Sequence, residues 1–173
     1  MSQQKKNSNE SPNKRMYKHL PVTGGSLCGA VRYESSEPPE DGGCCHCDMC
    51  RKATGGLFFF WLRFPDGALR ITKGEISFFK SSTHAKRGFC PNCGTSLAFA
   101  FEGNSTLEIA VGSLDRPDDW PPDEKTWWGH AFVDEKVSWD VISDGMARHT
   151  SSERMSEYHD AKDSLGDGNA STP

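Results

Sequence analysis

Four of the seven cysteines in this 173-residue chain fall within nine residues, "GGCCHCDMC" from Gly42 to Cys50, with a histidine among them. The others are Cys28, alone, and Cys90 and Cys93 in "CPNC". An odd number of thiols fits poorly with a closed disulfide framework. No apolar stretch follows the basic N-terminal residues, as a secretory signal would require. The chain is therefore expected in the cytoplasm, where clustered cysteines more often bind metal or react than cross-link.

Spacing narrows the ligand sets. In "CPNC" two thiolates at i and i+3 can grip one ion, and the glycine that follows lets backbone amides turn toward the sulfurs. Thioredoxin-like redox motifs share C-x-x-C, but they open a helix in a βαβ unit, and no such unit is visible here. "CHCDMC" supplies Cys45, Cys47 and Cys50 as a C-x-C-x-x-C triplet. Three thiolates can hold one Zn²⁺ with a fourth position left for water or substrate, as catalytic sites do. An open site of this kind favours a substrate thiol and lowers its pKa. The alternative is a closed structural site completed by Cys44 or a distant histidine. In an extended segment Cys44 and His46 alternate away from Cys45 and Cys47. Cys44 then reads as a packed or free thiol, and His46 as a support to the ligands or an exposed residue.

The middle of the chain reads as mainly β. "SLCGAVRYE" alternates, with Leu27, Val31 and Tyr33 expected on one face. "LFFFWLRF" is a short aromatic run suited to a strand buried on both faces, so Phe58 to Trp61 read as core. "GALRIT", "EISFFKS", "TSLAFAFE", "STLEIAVGS" and "EKVSWDVI" follow, separated by turn signals. One helical turn is expected after Cys47. Short strands at this spacing imply a single all-β domain, sandwich-like or barrel-like. "DRPDDWPPDEKTWW" (115–128) reads as a long irregular loop, where Trp127 and Trp128 could wall a pocket or simply pack.

Residues 1–20 and 150–173 are polar and poor in core-forming side chains, and are expected to be disordered tails around a domain at 21–149. Net charge is −4, with five Lys/Arg against one Glu in the first tail and two against five acidic residues in the second. The middle is therefore acidic, which opposes nucleic acid as a partner. No segment approaches the roughly 18 apolar residues of a membrane span.

The blocks "GGSLCGAVRYE", "CCHCDMCRKATGG", "RGFCPNCGTSL" and "GHAFVDEKVSWDVISDG" come in the order and at the spacing of the glutathione-dependent formaldehyde-activating enzyme family, which includes centromere protein V-like proteins. The chain resembles that family over about residues 20–146. The resemblance implies a zinc-binding β-tent fold with two metal positions. It makes Cys45, Cys47 and Cys50 ligands of a catalytic-type zinc, and Cys28, Cys90 and Cys93 ligands of a structural one. The family's early pair reads C-x-C-G, but Ser26 stands at its first position here. A serine hydroxyl is a poor zinc ligand, so fewer than two tight zinc ions per chain are expected.

The activity implied is that of a carbon–sulfur lyase. It would form or cleave the bond between a thiol such as glutathione and a small electrophile such as formaldehyde. The alternatives are a non-catalytic zinc-stabilised scaffold and a repurposed member acting on an imine or thioether. His130 stands where the family has a histidine before an aromatic strand. It is a candidate for proton transfer, against a plain hydrogen-bonding role at a strand start. Arg51 and Lys52 are candidates to meet a substrate carboxylate, against a solvated pair of charges. His84, His149 and His159 carry no signal.

Overall fold

In the computed structural model, the described residues are 20–120 and 127–154. Nearly all of both expected tails, and the middle of the 115–128 loop, lie outside them. Residues 151–154, within the second expected tail, form a helical turn.

The structure is mostly β, in two sheets. Strands β1 (Val22–Gly25), β2 (Arg32–Ser35) and β5 (Leu69–Lys73) form the smaller, antiparallel sheet in the order β1-β2-β5. The larger sheet takes β3 (Asp41–Cys45), β4 (Phe59–Arg63), β6 (Ser77–Lys80), β7 (Ala85–Phe89), β8 (Ser96–Phe101), β9 (Glu108–Ala110), β10 (Trp127–Ala131) and β11 (Arg148–His149). Its order is β11-β10-β3-β4-β9-β8-β7-β6. Helix α1 (Asp48–Thr54) links β3 to β4. Among the described residues no helix is long and apolar enough to cross a membrane.

The aromatic run becomes β4, hydrogen-bonded to β3 on one side and β9 on the other. Its period of two splits the core. Phe60, Leu62 and Phe64 join the larger apolar cluster with Val22, Tyr33, Leu97, Ile109 and Trp127. Phe59 and Trp61 join a smaller one with Cys45, Cys47, Cys50, Phe99, Ala110 and Phe132. Leu62 is fully buried, and truncating such a leucine to alanine costs about 2–5 kcal/mol. Tyr33 spends its buried hydroxyl on Ser113 Oγ, 2.6 Å away, which ties the small sheet to the end of β9.

Three expectations are corrected. Leu27 is 92% exposed, not on the Val31–Tyr33 face. Ser26 to Gly29 form a turn closed by Gly29 N–H donating to Ser26 O at 2.9 Å, and the alternation breaks there. "EKVSWDVI" is not a strand. It begins in a 3₁₀ turn, Val133–Glu135, and continues as turns held by Lys136 Nζ on the carbonyls of Val137 and Asp140. β10 already has β3 on one edge and β11 on the other, so that edge has no room for this segment. Trp127 and Trp128 lie in β10 rather than in a loop. Trp127 is in the core, edge-on to Phe60 at 5.4 Å, and Trp128 stacks on His149 at 3.9 Å.

Candidate metal centres

Cys45 ends β3, Cys47 is the N-cap of α1, and Cys50 lies in its first turn. The cap geometry follows from the sequence. Cys47 is extended, its sulfur accepts the Cys50 N–H at 3.3 Å, and Asp48 sits at the positive end of the helix. Gly55 closes the helix in the left-handed region. The chain therefore folds back within six residues, and the three sulfurs lie within 4.8 Å of one another. Among the described residues no fourth Cys, His, Asp or Glu joins this group.

The triplet packs against Phe59, Trp61, Phe99, Ala110 and Phe132, with Arg87 beside it. Arg87 Nη1 donates to Cys50 Sγ at 3.5 Å, its guanidinium lies over the Phe99 ring at 5.2 Å, and it is 9% exposed. Cys45 donates to Cys47, which, with help from Cys50, holds the Cys47 thiol well below the ordinary range. Donating to Cys47 and Cys50 pushes Cys45 far up. Three soft sulfur donors converge beside one buried cation, a donor set that fits Zn²⁺. Arg87 was not legible in the sequence. "HAKRGF" carries two adjacent basic residues, and only the fold shows that Arg87 points inward, while Lys86 reaches the Phe78 ring.

Cys28, Cys90 and Cys93 also come together within 4.8 Å, but at the rim. Cys28 and Cys93 are exposed and Cys90 is buried. Gly94, at φ 75°, turns the knuckle so that its N–H meets Cys90 O at 2.9 Å. Cys28 Sγ lies 3.7 Å from Cys90 Sγ and accepts from Asn92 Nδ2 at 3.3 Å. That bond, with one from Ser26, lowers the Cys28 thiol to about 6. Thr95 lowers Cys93 in the same sense. Ser26 Oγ is 3.6 Å from Cys28 Sγ, beside the three sulfurs, and accepts the Val31 N–H at 3.1 Å.

Cys44, His46 and His130 form a third convergence, all three buried. Burial pushes the Cys44 thiol up. His46 is buried rather than exposed, its ring packed near those of Phe58 and His130 and its main-chain N–H bound to Ala131 O at 3.0 Å. Gly129, at φ 119°, precedes His130, and a side chain there would strike Ala147 O. That close approach lets His130 N–H reach Ala147 O at 2.8 Å.

Arg51 and Lys52 both pair with Asp48, the lysine at 2.8 Å. They line a concavity of about 410 Å³ with Gly55, Gly56, Leu57, Val137 and Trp139. A second concavity, of about 270 Å³, lies beside β1 between Leu20 and Trp120, and neither cysteine nor histidine lines it.

A fission-yeast protein (Schizosaccharomyces pombe) named as an uncharacterized lyase is 32% identical over 85 residues, 45% of this chain and 56% of that protein. The match thus spans little more than half of that relative. A solved Rhodobacter sphaeroides structure is 25% identical, with a TM-score of 0.46, covering 61% of this chain and 98% of that one. The family model of the glutathione-dependent formaldehyde-activating enzyme matches residues 21–130, and the chain belongs to that family.

Proposed function

We propose that this protein is a zinc-dependent enzyme of the carbon–sulfur lyase kind, joining a glutathione-like thiol to a small aldehyde or cleaving the adduct. The observation that carries this reading is the Cys45/Cys47/Cys50 group. It has three converging sulfurs and, among the described residues, no fourth side-chain donor. A closed structural site uses four protein ligands, whereas a catalytic one keeps a position for substrate. Cys45, Cys47 and Cys50 would hold the ion, which when bound supplies Lewis acidity and lowers the pKa of a substrate thiol. The family match and the lyase name of the yeast relative point the same way.

The chain's own residues have separable tasks. Arg87, donating to Cys50 and buried against Phe99, offsets part of the thiolate charge. Phe59, Phe99 and Phe132 keep the surroundings apolar, which strengthens electrostatic effects on a reacting sulfur. Arg51 and Lys52, together with Asp48, leave one net positive charge at the 410 Å³ concavity. That charge suits a carboxylate of the thiol substrate. In the forward direction the thiol sulfur bonds to the carbonyl carbon, and the thiol proton ends on the former carbonyl oxygen. The reverse step returns both. The Cys28/Cys90/Cys93 group, with Ser26 beside it, is the structural position and holds zinc more weakly.

The test is an NMR assay of zinc-reconstituted protein with glutathione and formaldehyde, run beside a panel of thioethers and imines, with Cys47→Ser as control. Faster exchange between free thiol and adduct in the wild type than in Cys47→Ser is expected. Equal rates on every substrate would leave a zinc-stabilised scaffold. Turnover confined to a thioether or imine would mark a repurposed member.

A further inference from the structure

We propose that Cys44, His46 and His130 form a third metal site, separate from the two cysteine-only groups, for a borderline-soft divalent ion of the zinc class. Its place follows from the sheet. β3 and β10 run parallel, with His130 opposite Cys44 and Ala131 opposite Cys45. Cys44 is also opposite Phe60, and Cys45 opposite Phe59. Partners directly across a ladder share a face. Cys44 and His130 therefore lie on the Phe60 face of the sheet, and the Cys45/Cys47/Cys50 group lies on the Phe59 face.

The donor atoms converge. Cys44 Sγ is 3.4 Å from His46 Nε2, and His46 Nε2 is 2.8 Å from His130 Nδ1. All three residues are buried, and the Phe58 ring lies 5.4 Å from the His46 ring. The outer nitrogens of both imidazoles face carboxylates of one loop. His130 Nε2 is 2.9 Å from Asp144 Oδ2, and His46 Nδ1 is 3.8 Å from Asp140 Oδ2. A carboxylate on the far nitrogen is the usual support of a metal-bound histidine, because it fixes the proton there and aims the lone pair of the near nitrogen.

With both rings neutral, counting protons favours an ion over a hydrogen bond between the rings. If each neutral ring carries its proton on the nitrogen facing its carboxylate, the near nitrogens present two lone pairs to each other at 2.8 Å. A cation between them removes that repulsion. If instead neutral His46 donates from Nε2 to His130, its Nδ1 becomes a bare acceptor turned toward Asp140. That atom is buried with no hydrogen-bond partner in either tautomer, and the carboxylate 3.8 Å away favours a proton on it over a lone pair. Two zinc-bound nitrogens in a tetrahedral site stand roughly 3.3 Å apart, so a small opening of the pair admits the ion. One thiolate and two imidazoles leave a fourth position free.

The test uses the full chain, stripped of metal, reloaded with excess Zn²⁺ and desalted. The Cys28/Cys90/Cys93 and Cys45/Cys47/Cys50 groups contain no imidazole. Outer-shell imidazole scattering in the zinc absorption spectrum therefore reports this site alone. The wild type is expected to show it, and Cys47→Ser to retain it. His130→Gln should lose it together with about one zinc per chain. Asp144→Asn should weaken that zinc by about 10–100-fold against a chelator. A sulfur-only spectrum in the wild type would overturn the site and leave a hydrogen-bonded histidine pair. So would wild-type zinc content in a folded His130→Gln. If His130→Gln does not fold, the wild-type spectrum still decides, and Cys44→Ala, which removes only a sulfur, replaces it.

Discussion

The two cysteine-only groups use the same atoms in opposite settings. Cys45, Cys47 and Cys50 are threaded through a strand end and a helix cap, with Cys47 and Cys50 buried among aromatic rings beside one buried cation. Cys28, Cys90 and Cys93 sit on two turns, with two of the three sulfurs on exposed residues and a serine alongside. In the first group the thiols perturb one another. In the second, neighbouring polar groups hold the Cys28 and Cys93 thiols low, and the group brings a turn and a knuckle together. The contrast teaches that two groups with the same ligand count can differ in burial and neighbouring charge, and the roles proposed for them rest on that difference.

Exchanging the same substitution between the groups is the strongest way to break that contrast. Cys47→Ser is expected to lower turnover by about 1000-fold, the several kcal/mol that a catalytic metal supplies, and to remove about one zinc. Cys90→Ser should instead leave turnover per folded molecule within about twofold while lowering stability by about 2–4 kcal/mol, read as a fall in Tm. A Cys90→Ser protein that melts like the wild type but has lost turnover would reverse the assignment.

Arg87→Met probes the charge that only the buried group has. Zinc content should hold while kcat/KM falls about tenfold, the loss of one charge-assisted hydrogen bond near the reacting sulfur. Ser26→Cys probes the exposed group. Supplying a fourth thiolate should raise zinc retention during dialysis and stability by about 1 kcal/mol, offset in part because Ser26 Oγ accepts the Val31 N–H.

The smallest effect concerns a carboxyl shared by neither group. Burial raises Glu108 to about 7 from its ordinary 4.5. The folded state therefore holds this proton more tightly than the unfolded one. Its contribution is full below the ordinary value and is lost as pH rises through about 7. Glu108→Gln should flatten the dependence of stability on pH between these limits and be the more stable form above pH 7. Denaturant melts at several pH values would check it.

The sequence was informative where local geometry governs. The C-x-C-x-x-C spacing brings its sulfurs together because a strand end and one helical turn separate them. "LFFFWLRF" makes a strand with a core cluster on each face because apolar residues occupy both of its alternations. The alternation through "SLCGAVRYE" misled at Leu27, where a turn interrupts the strand, and "EKVSWDVI" misled because both edges of the preceding strand β10 are already taken. Neither condition is visible in a short window of residues.

Composition and spacing by themselves determined a mostly β domain, three cysteine groups and the family that orders them. Only the tertiary structure decided what stands beside each group. Arg87 reaches Cys50 across 37 positions. His46 and His130 meet from 84 positions apart because β10 pairs with β3. Local spacing is enforced by the covalent chain and can be read along it. Contacts between strands depend on which edges pair, and that is settled by burying both faces of one sheet at once.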